Sequence, residues 1–155
     1  MLPHASPWSA DNGLALIADA ERLKRAAASD AGLPQLLRGK RLALLSDDLD
    51  GPAATAFVRA ATELGGQVAR VRASGLGDRH ARNLASLLGQ LYDAIECQGL
   101  PAAELGELGR HAGVPVFDGI ADAGHPLRQL ADTMDGETAG NHRHLLQALL
   151  AAALG

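Results

Sequence analysis

The chain has 155 residues, a net charge of −4 and 47% hydrophobic residues, values typical of one globular domain with a full core. Its 14 basic residues are scattered among 18 acidic ones, which argues against the basic patch of a nucleic-acid-binding protein. The longest apolar run, residues 145–154, is about half the length of a membrane span, so no membrane segment is expected. Because Cys97 is the single cysteine, an internal disulfide is excluded. We expect Cys97 to be a buried strand residue and the protein to be cytoplasmic.

The order of apolar patterns predicts an α/β protein. Residues 13–29 carry apolar side chains at helical spacing, so an amphipathic helix is expected there, after a flexible N-terminal arm over residues 1–12. Short apolar segments follow, each succeeded by a helical pattern, at residues 41–45, 67–71, 93–97 and 114–117. This alternation predicts a three-layer αβα sandwich of about four parallel strands with helices on both faces.

The last third of the chain contains a predicted joint and a terminal helix. Residues 134–140 are rich in glycine and polar side chains, which predicts a flexible joint before a helix over residues 141–154. His142 and His144 are two positions apart and therefore point to different faces of that helix, so we expect surface residues rather than a metal pair. Gly75 and Gly77 lack the third glycine of a dinucleotide-binding loop, which makes a dinucleotide site improbable.

Four stretches, in order and at natural spacing, carry a family resemblance. They are Leu37-Arg-Gly-Lys-Arg-Leu-Ala-Leu-Leu45, Phe57-Val-Arg-Ala-Ala-Thr-Glu-Leu-Gly-Gly66, Tyr92-Asp-Ala-Ile95 and a run from His111 through Asp122 and His125-Pro126 to Asp132. Together they resemble the amino-terminal, carbamoyl-phosphate-binding domain of ornithine and aspartate carbamoyltransferases. The resemblance implies a Rossmann-like half of such an enzyme over residues 13–135. Residues 136–155 would then form a linker and a helix packed back on the domain or on a neighbouring subunit.

The first functional signature of that family is altered in this sequence. Family enzymes carry Ser-x-Arg-Thr-Arg at the start of the helix after the first strand, where it cradles the phosphate. Counted back from Phe57, the signature falls on Asp50-Gly51-Pro52-Ala53-Ala54. The resemblance therefore implies a degenerate phosphate site, and we expect Asp50 to cap the helix and repel an incoming dianion.

The two other family anchors are also changed. The arginine that follows the third strand in the family corresponds to Gln98, and the family's His-Pro-x-Gln corresponds to His125-Pro126-Leu127-Arg128. The histidine is retained, and Arg128 replaces the glutamine. Arg128 supplies a charge but cannot restore a bidentate clamp and a pair of hydroxyls. His125 has two interpretations: a helix-entry residue, which we favour, or a residual ligand contact in the crevice.

Three aspartates after the first strand form a weak candidate metal site. Asp47, Asp48 and Asp50 lie where parallel sheets place ligands, and carboxylates suit a divalent cation. The interpretation that we favour is a solvated acidic loop in which Asp50 is the helix N-cap.

These features predict a carbamoyltransferase-like domain without competent catalytic residues, without a cofactor, acting as a binding or assembly module. The given residues hold no second α/β domain to bring the amine substrate, so no transfer by this chain alone is expected. By resemblance, a homo-oligomer is expected. The alternative is a small-anion or carbamoyl-phosphate binding protein, or a residual carbamoyltransferase, that uses His125, Gln98 and Arg128. A third possibility is a regulatory subunit that pairs with a full-length carbamoyltransferase.

Overall fold

The computed structural model describes residues 10–74 and 81–155, with side chains from residues 12 and 83 onwards in these two segments. The helices are α1 (Ala10–Ala28), α2 (Pro52–Glu63), α3 (Ala81–Leu91), α4 (Ala102–His111), α5 (Pro126–Asp132) and α6 (Thr138–Leu154). The strands are β1 (Arg41–Ser46), β2 (Gln67–Arg72), β3 (Ala94–Cys97) and β4 (Val116–Asp118). Within the described ranges, no helix is both long enough and apolar enough to cross a membrane.

The four strands form one parallel sheet in the order β2-β1-β3-β4. Strand β1 pairs with both β2 and β3, and its Leu44 lies opposite Arg70 of β2 and Glu96 of β3. The order places the carboxyl ends of β1 and β3 side by side at the centre of the sheet. The structure confirms the predicted α/β class and the four parallel strands.

Helices cover both faces of the sheet, as a three-layer sandwich requires. On one face, Leu42 and Leu44 of β1 belong to a core cluster shared with α1, α2, α5 and α6. On the other, Ala43 and Leu45 belong to a cluster shared with α3 and α4. The apolar run of β1 follows from this arrangement, because a strand buried on both faces has no polar side. Cys97 belongs to the second cluster, which confirms its predicted burial.

Two predicted boundaries are wrong. Helix α1 begins at Ala10 rather than at residue 13, so residues 10–12 belong to it, and residues 1–9 of the predicted arm lie outside the described residues. Helix α6 begins at Thr138 rather than at residue 141. The joint before it is held by hydrogen bonds, because Lys24 Nζ donates to the Asp135 carbonyl over 2.7 Å. Gly75 and Gly77 also lie outside the described residues.

The prediction that His142 and His144 are surface residues is wrong. Their exposed fractions are only 3% and 4%, because α6 packs against α1, α2 and α5 and is therefore enclosed on several sides. Buried polar side chains of α6 form hydrogen bonds inside this packed region. His144 Nδ1 lies 2.8 Å from Gln147 Oε1, and Gln147 Nε2 donates to the Ala60 carbonyl over 3.2 Å.

Helices α3 and α4 pack closely against each other at Gly89. A Cβ added at Gly89 of α3 would overlap the backbone carbonyl of Ala112, just after α4. We therefore expect Gly89→Ala to lower the free energy of unfolding by about 1–3 kcal/mol, because a backbone atom cannot turn aside as a side chain can. Urea unfolding followed by circular dichroism measures this loss.

The matched control is Gly109→Ala in α4, where the added Cβ has no described atom within 4 Å apart from its chain neighbours and the backbone of its own helix. This change is expected to leave stability unchanged or to raise it by up to about 1 kcal/mol, because alanine favours a helix interior. Equal effects of the two substitutions would contradict the close packing of α3 on α4.

Candidate functional site

A cleft of about 600 Å³ opens at the carboxyl edge of the sheet. Its walls come from the ends of β1, β3 and β4, the first turn of α2 and the start of α5. The residues that give it its chemistry are Ser46, Asp48, Ala53, Gln98, Asp118, Asp122 and His125. This is where α/β sheets place ligands, because the loops that follow neighbouring parallel strands meet there.

The start of α2 differs from the prediction that Asp50 caps the helix. Gly51 is the N-cap, without a side-chain hydrogen bond, and Asp50 is exposed. The cause is Pro52, since proline favours the first helical position and so fixes the residue before it as the cap. The carboxylate beside the helix start belongs instead to Asp48, which a Cβ on Gly51 would overlap. A negative side chain does lie next to α2, but it is Asp48.

The three candidate metal-binding aspartates lie in three different surroundings. Asp47 Oδ1 accepts a hydrogen bond from the Ser74 N–H over 2.6 Å and so faces the loop after β2. Asp48 lines the cleft, whereas Asp50 is exposed and is not among the cleft residues. Among residues 10–74 and 81–155, no three His, Cys, Asp or Glu side chains are grouped so that they could hold a metal ion.

Gln98, which stands where the family has an arginine, is tied to the protein. Its Nε2 donates to the Ala53 carbonyl in the first turn of α2 and to Glu96 Oε2, each over 3.1 Å. An amide nitrogen carries two hydrogens, and both are used here. Gln98 therefore lines the cleft but offers its donors to α2 and β3.

Glu96 is the site residue that sequence reasoning missed. It has no exposed surface, and its carboxylate accepts hydrogen bonds from the Ile120 and Ala121 N–H groups over 3.2 and 3.3 Å. Burial raises the pKa of Glu96 to about 7, the charge of Asp118 adds to this, and the hydrogen bonds from Gln98 and the two amides oppose it. The sequence did hold a signal for Glu96: it is a charged residue inside a short apolar strand, and strands buried on both faces rarely carry a charge.

His125 begins α5, as predicted, with Pro126 at the first helical position. Its Nδ1 accepts a hydrogen bond from the Leu127 N–H over 3.1 Å. Burial lowers the pKa of His125, although the charges of Asp118 and Asp122 oppose the shift. A pKa below its usual value leaves the imidazole neutral at neutral pH, so His125 contributes no positive charge to the cleft.

The predicted site residues are brought together only in part. Ala53, Gln98 and His125 line the cleft, whereas Arg128, one turn into α5, does not. Its charge acts on the buried His142 instead. The described residues of the cleft lining include three carboxylates, those of Asp48, Asp118 and Asp122, and no lysine or arginine. These described residues give the cleft a negative electrostatic potential.

The parallel sheet with a cleft at its carboxyl edge defines a Rossmann-like α/β domain. The profile of one family, described as the carbamoyl-P binding domain of aspartate/ornithine carbamoyltransferase, matches residues 3–138. The chain belongs to this family, which confirms the resemblance carried by the four sequence stretches.

Curated relatives and solved structures agree with this assignment. The chain is 41% identical over 118 residues to a catabolic ornithine carbamoyltransferase of Burkholderia mallei, covering 74% of this chain and 35% of the relative. With the catabolic enzyme of Clostridium perfringens it shares 37% identity over 109 residues, or 70% of this chain and 32% of the relative. It thus spans about a third of the length of these relatives.

The fold is also that of solved carbamoyltransferases. Ornithine carbamoyltransferase from Pyrococcus furiosus superposes with a TM-score of 0.68 at 26% identity, over 81% of this chain and 41% of that one. The catalytic subunit of aspartate transcarbamoylase from M. jannaschii superposes with a TM-score of 0.67 at 18% identity, over 83% of this chain and 43% of that one. The second comparison supports the fold alone.

Proposed function

We propose that this domain is a carbamoyltransferase relative that does not transfer carbamoyl groups and serves as a binding or assembly module. The observation that carries the proposal is the chemistry of the cleft. Three carboxylates line it, none of its lining residues in segments 10–74 and 81–155 is a lysine or arginine, and both donors of Gln98 are held by Ala53 and Glu96. A phosphate dianion entering this cleft would meet like charges and, from the described lining residues, no cationic partner.

Energetic magnitudes support this choice. By resemblance, family enzymes hold the phosphate through arginine contacts, and a hydrogen bond to a charged group contributes about 1.5–3 kcal/mol. The aligned positions here carry Pro52 and Gln98, so two such contacts are missing. Arg128 is not among the cleft residues, so its charge does not replace them.

The alternative, a small-anion binder or residual carbamoyltransferase using His125, Gln98 and Arg128, has less support. The donors of Gln98 are engaged, His125 is neutral, and Arg128 lies outside the cleft lining. An anion site built from these residues would need Gln98 to release α2 and Arg128 to move.

The assembly role is supported by an apolar patch on α3. Leu87 and Leu91 lie one turn apart and are 51% and 45% exposed. Leucines on one face of a helix are suited to contact another subunit. The partner that we propose is a second copy of this chain, or a full-length carbamoyltransferase, in the cytoplasm. The lone, unpaired Cys97 is compatible with that compartment. Light scattering of the purified chain, alone and mixed with such an enzyme, separates the two partners.

Carbamoyl transfer is tested with the purified chain, carbamoyl phosphate and either ornithine or aspartate. We expect no product above the uncatalysed rate, and no rise in melting temperature with millimolar carbamoyl phosphate, because a ligand that does not bind the folded state cannot stabilise it. The catabolic ornithine carbamoyltransferase of Burkholderia mallei is the positive control. Product formation by the chain above background would contradict the proposal.

A further inference from the structure

Glu96 is a buried carboxyl group behind the cleft for which the proposed function has no use. It has no exposed surface and lies in the middle of β3, between β1 and β4. Within the part of the chain that the structure describes, no lysine or arginine forms an ion pair with it. A buried carboxyl without a cationic partner is costly to ionise, so the contacts that Glu96 makes require an explanation.

Those contacts join three parts of the cleft wall. The loop between β4 and α5, residues 119–125, donates the N–H groups of Ile120 and Ala121 to the two carboxylate oxygens. Gln98, just after β3, donates to Oε2, and its second hydrogen goes to the Ala53 carbonyl in α2. Glu96 is therefore the common acceptor that connects β3, the loop and, through Gln98, the first turn of α2.

We propose that Glu96 is a pH-sensitive latch of the cleft, whose carboxylate form holds the loop and α2 in place and whose protonated form releases part of that hold. An ionised carboxylate accepts all three donors. A protonated carboxyl carries its own O–H, so one of its oxygens becomes a donor and accepts hydrogen bonds less well. At least one of the three hydrogen bonds is then lost or lengthened. The latch is independent of whether the cleft takes a ligand.

The groups around Glu96 place its titration near neutral pH. Burial and the nearby charge of Asp118 favour the protonated form, and the N–H groups of Gln98, Ile120 and Ala121 favour the ionised one. The neighbouring Cys97 thiol stays neutral, because burial raises its pKa. Of these opposing effects burial is the largest, and the pKa of Glu96 is raised to about 7.

Protonation of Glu96 weakens local hydrogen bonds of the loop but favours the global stability of the fold. Because the pKa of Glu96 is raised above its ordinary value of 4.5, its contribution to global stability is full below that value and is lost as the pH rises through about 7. Acid-induced loosening of the loop therefore cannot come from a Glu96-driven loss of the fold. This opposition of sign separates a latch from general unfolding.

The test is an NMR titration of the wild-type chain labelled with ¹³C at glutamate Cδ, between about pH 5.5 and 8.5. We expect the Glu96 carboxyl to titrate near neutrality, with the Ile120 and Ala121 amides and the Gln98 side-chain amide following the same midpoint. Hydrogen-exchange protection of the two backbone amides should fall about threefold to tenfold on acidification, the effect of weakening one hydrogen bond. A Glu96 midpoint near 4.5, or amides that ignore the titration, would overturn the proposal.

Glu96→Gln provides an uncharged variant, and Glu21→Gln, on the exposed side of α1, is its control. The pH dependence of the loop amides should vanish in E96Q and persist in E21Q. If both variants behave like the wild type, Glu96 is not the latch. If E96Q does not fold, the wild-type titration alone decides.

Discussion

Replacing Leu146 with alanine is expected to lower the free energy of unfolding by about 2–5 kcal/mol, the range for removing a buried leucine side chain. Leu146 has no exposed surface and lies in the core cluster that α6 shares with α1, α2 and α5. The loss combines the transfer free energy of the deleted methyl groups with the cavity that they leave. Urea unfolding measures it directly, as a lower midpoint with an unchanged slope.

The control is Leu14→Ala in α1, where the side chain is 67% exposed. Here we expect a change within about 0.5 kcal/mol, as for most surface substitutions. If Leu146→Ala were as mild as Leu14→Ala, α6 would not be part of the domain core. The comparison matters because α6 follows the segment matched to the family, which ends at residue 138, yet supplies eight buried residues.

The second large effect is a loss of stability in acid, caused by His142 and His144. Burial lowers the pKa of both, helped at His142 by the charge of Arg128, and in His144 opposed by its hydrogen bond to Gln147. A hydrogen bond with the Ile120 backbone opposes the shift at His142, but burial has the larger effect on its pKa. Both imidazoles are therefore neutral in the folded chain at neutral pH.

The direction of the effect follows from these lowered pKa values. Unfolded histidine binds protons near its ordinary pKa of 6.5, before the folded chain does, so stability falls as the pH drops below that value toward the lowered pKa. Each imidazole that stays neutral contributes a slope of about 1.4 kcal/mol per pH unit. Glu96 opposes them, because its raised pKa makes the folded chain bind a proton first between about 7 and 4.5.

Three histidines with lowered pKa values, His125 being the third, against one glutamate leave a net loss of up to about 2 kcal/mol between roughly pH 6.5 and 5.5. Urea unfolding at several pH values measures it. In the double variant H142N/H144N the effects of His125 and Glu96 remain and oppose each other, so the slope should become nearly flat. A slope unchanged by the double substitution would assign the acid sensitivity to other groups.

Much of the fold was predictable because local patterns and global topology agree. The apolar run of β1 is the signature of a strand covered on both faces, and the alternation of strands and helices permits few topologies other than a parallel sheet. The four sequence stretches added the family.

The cleft was less predictable, because its chemistry depends on side-chain direction. Asp50 looked like a helix cap, but Pro52 fixes the cap at Gly51 and leaves Asp48 beside the cleft. Arg128 looked like a replacement charge, but it lies outside the lining. His142 looked like a surface residue, because its polar sequence neighbours do not reveal that α6 is enclosed by three helices.

Calorimetric titration of the wild-type chain with carbamoyl phosphate is the most direct test of whether the cleft rejects the phosphorylated ligand of its family, as we propose. We expect no saturable heat up to millimolar ligand, because the cleft residues that the structure describes include three carboxylates and no cation. Saturable binding with a dissociation constant in the micromolar range would contradict the account.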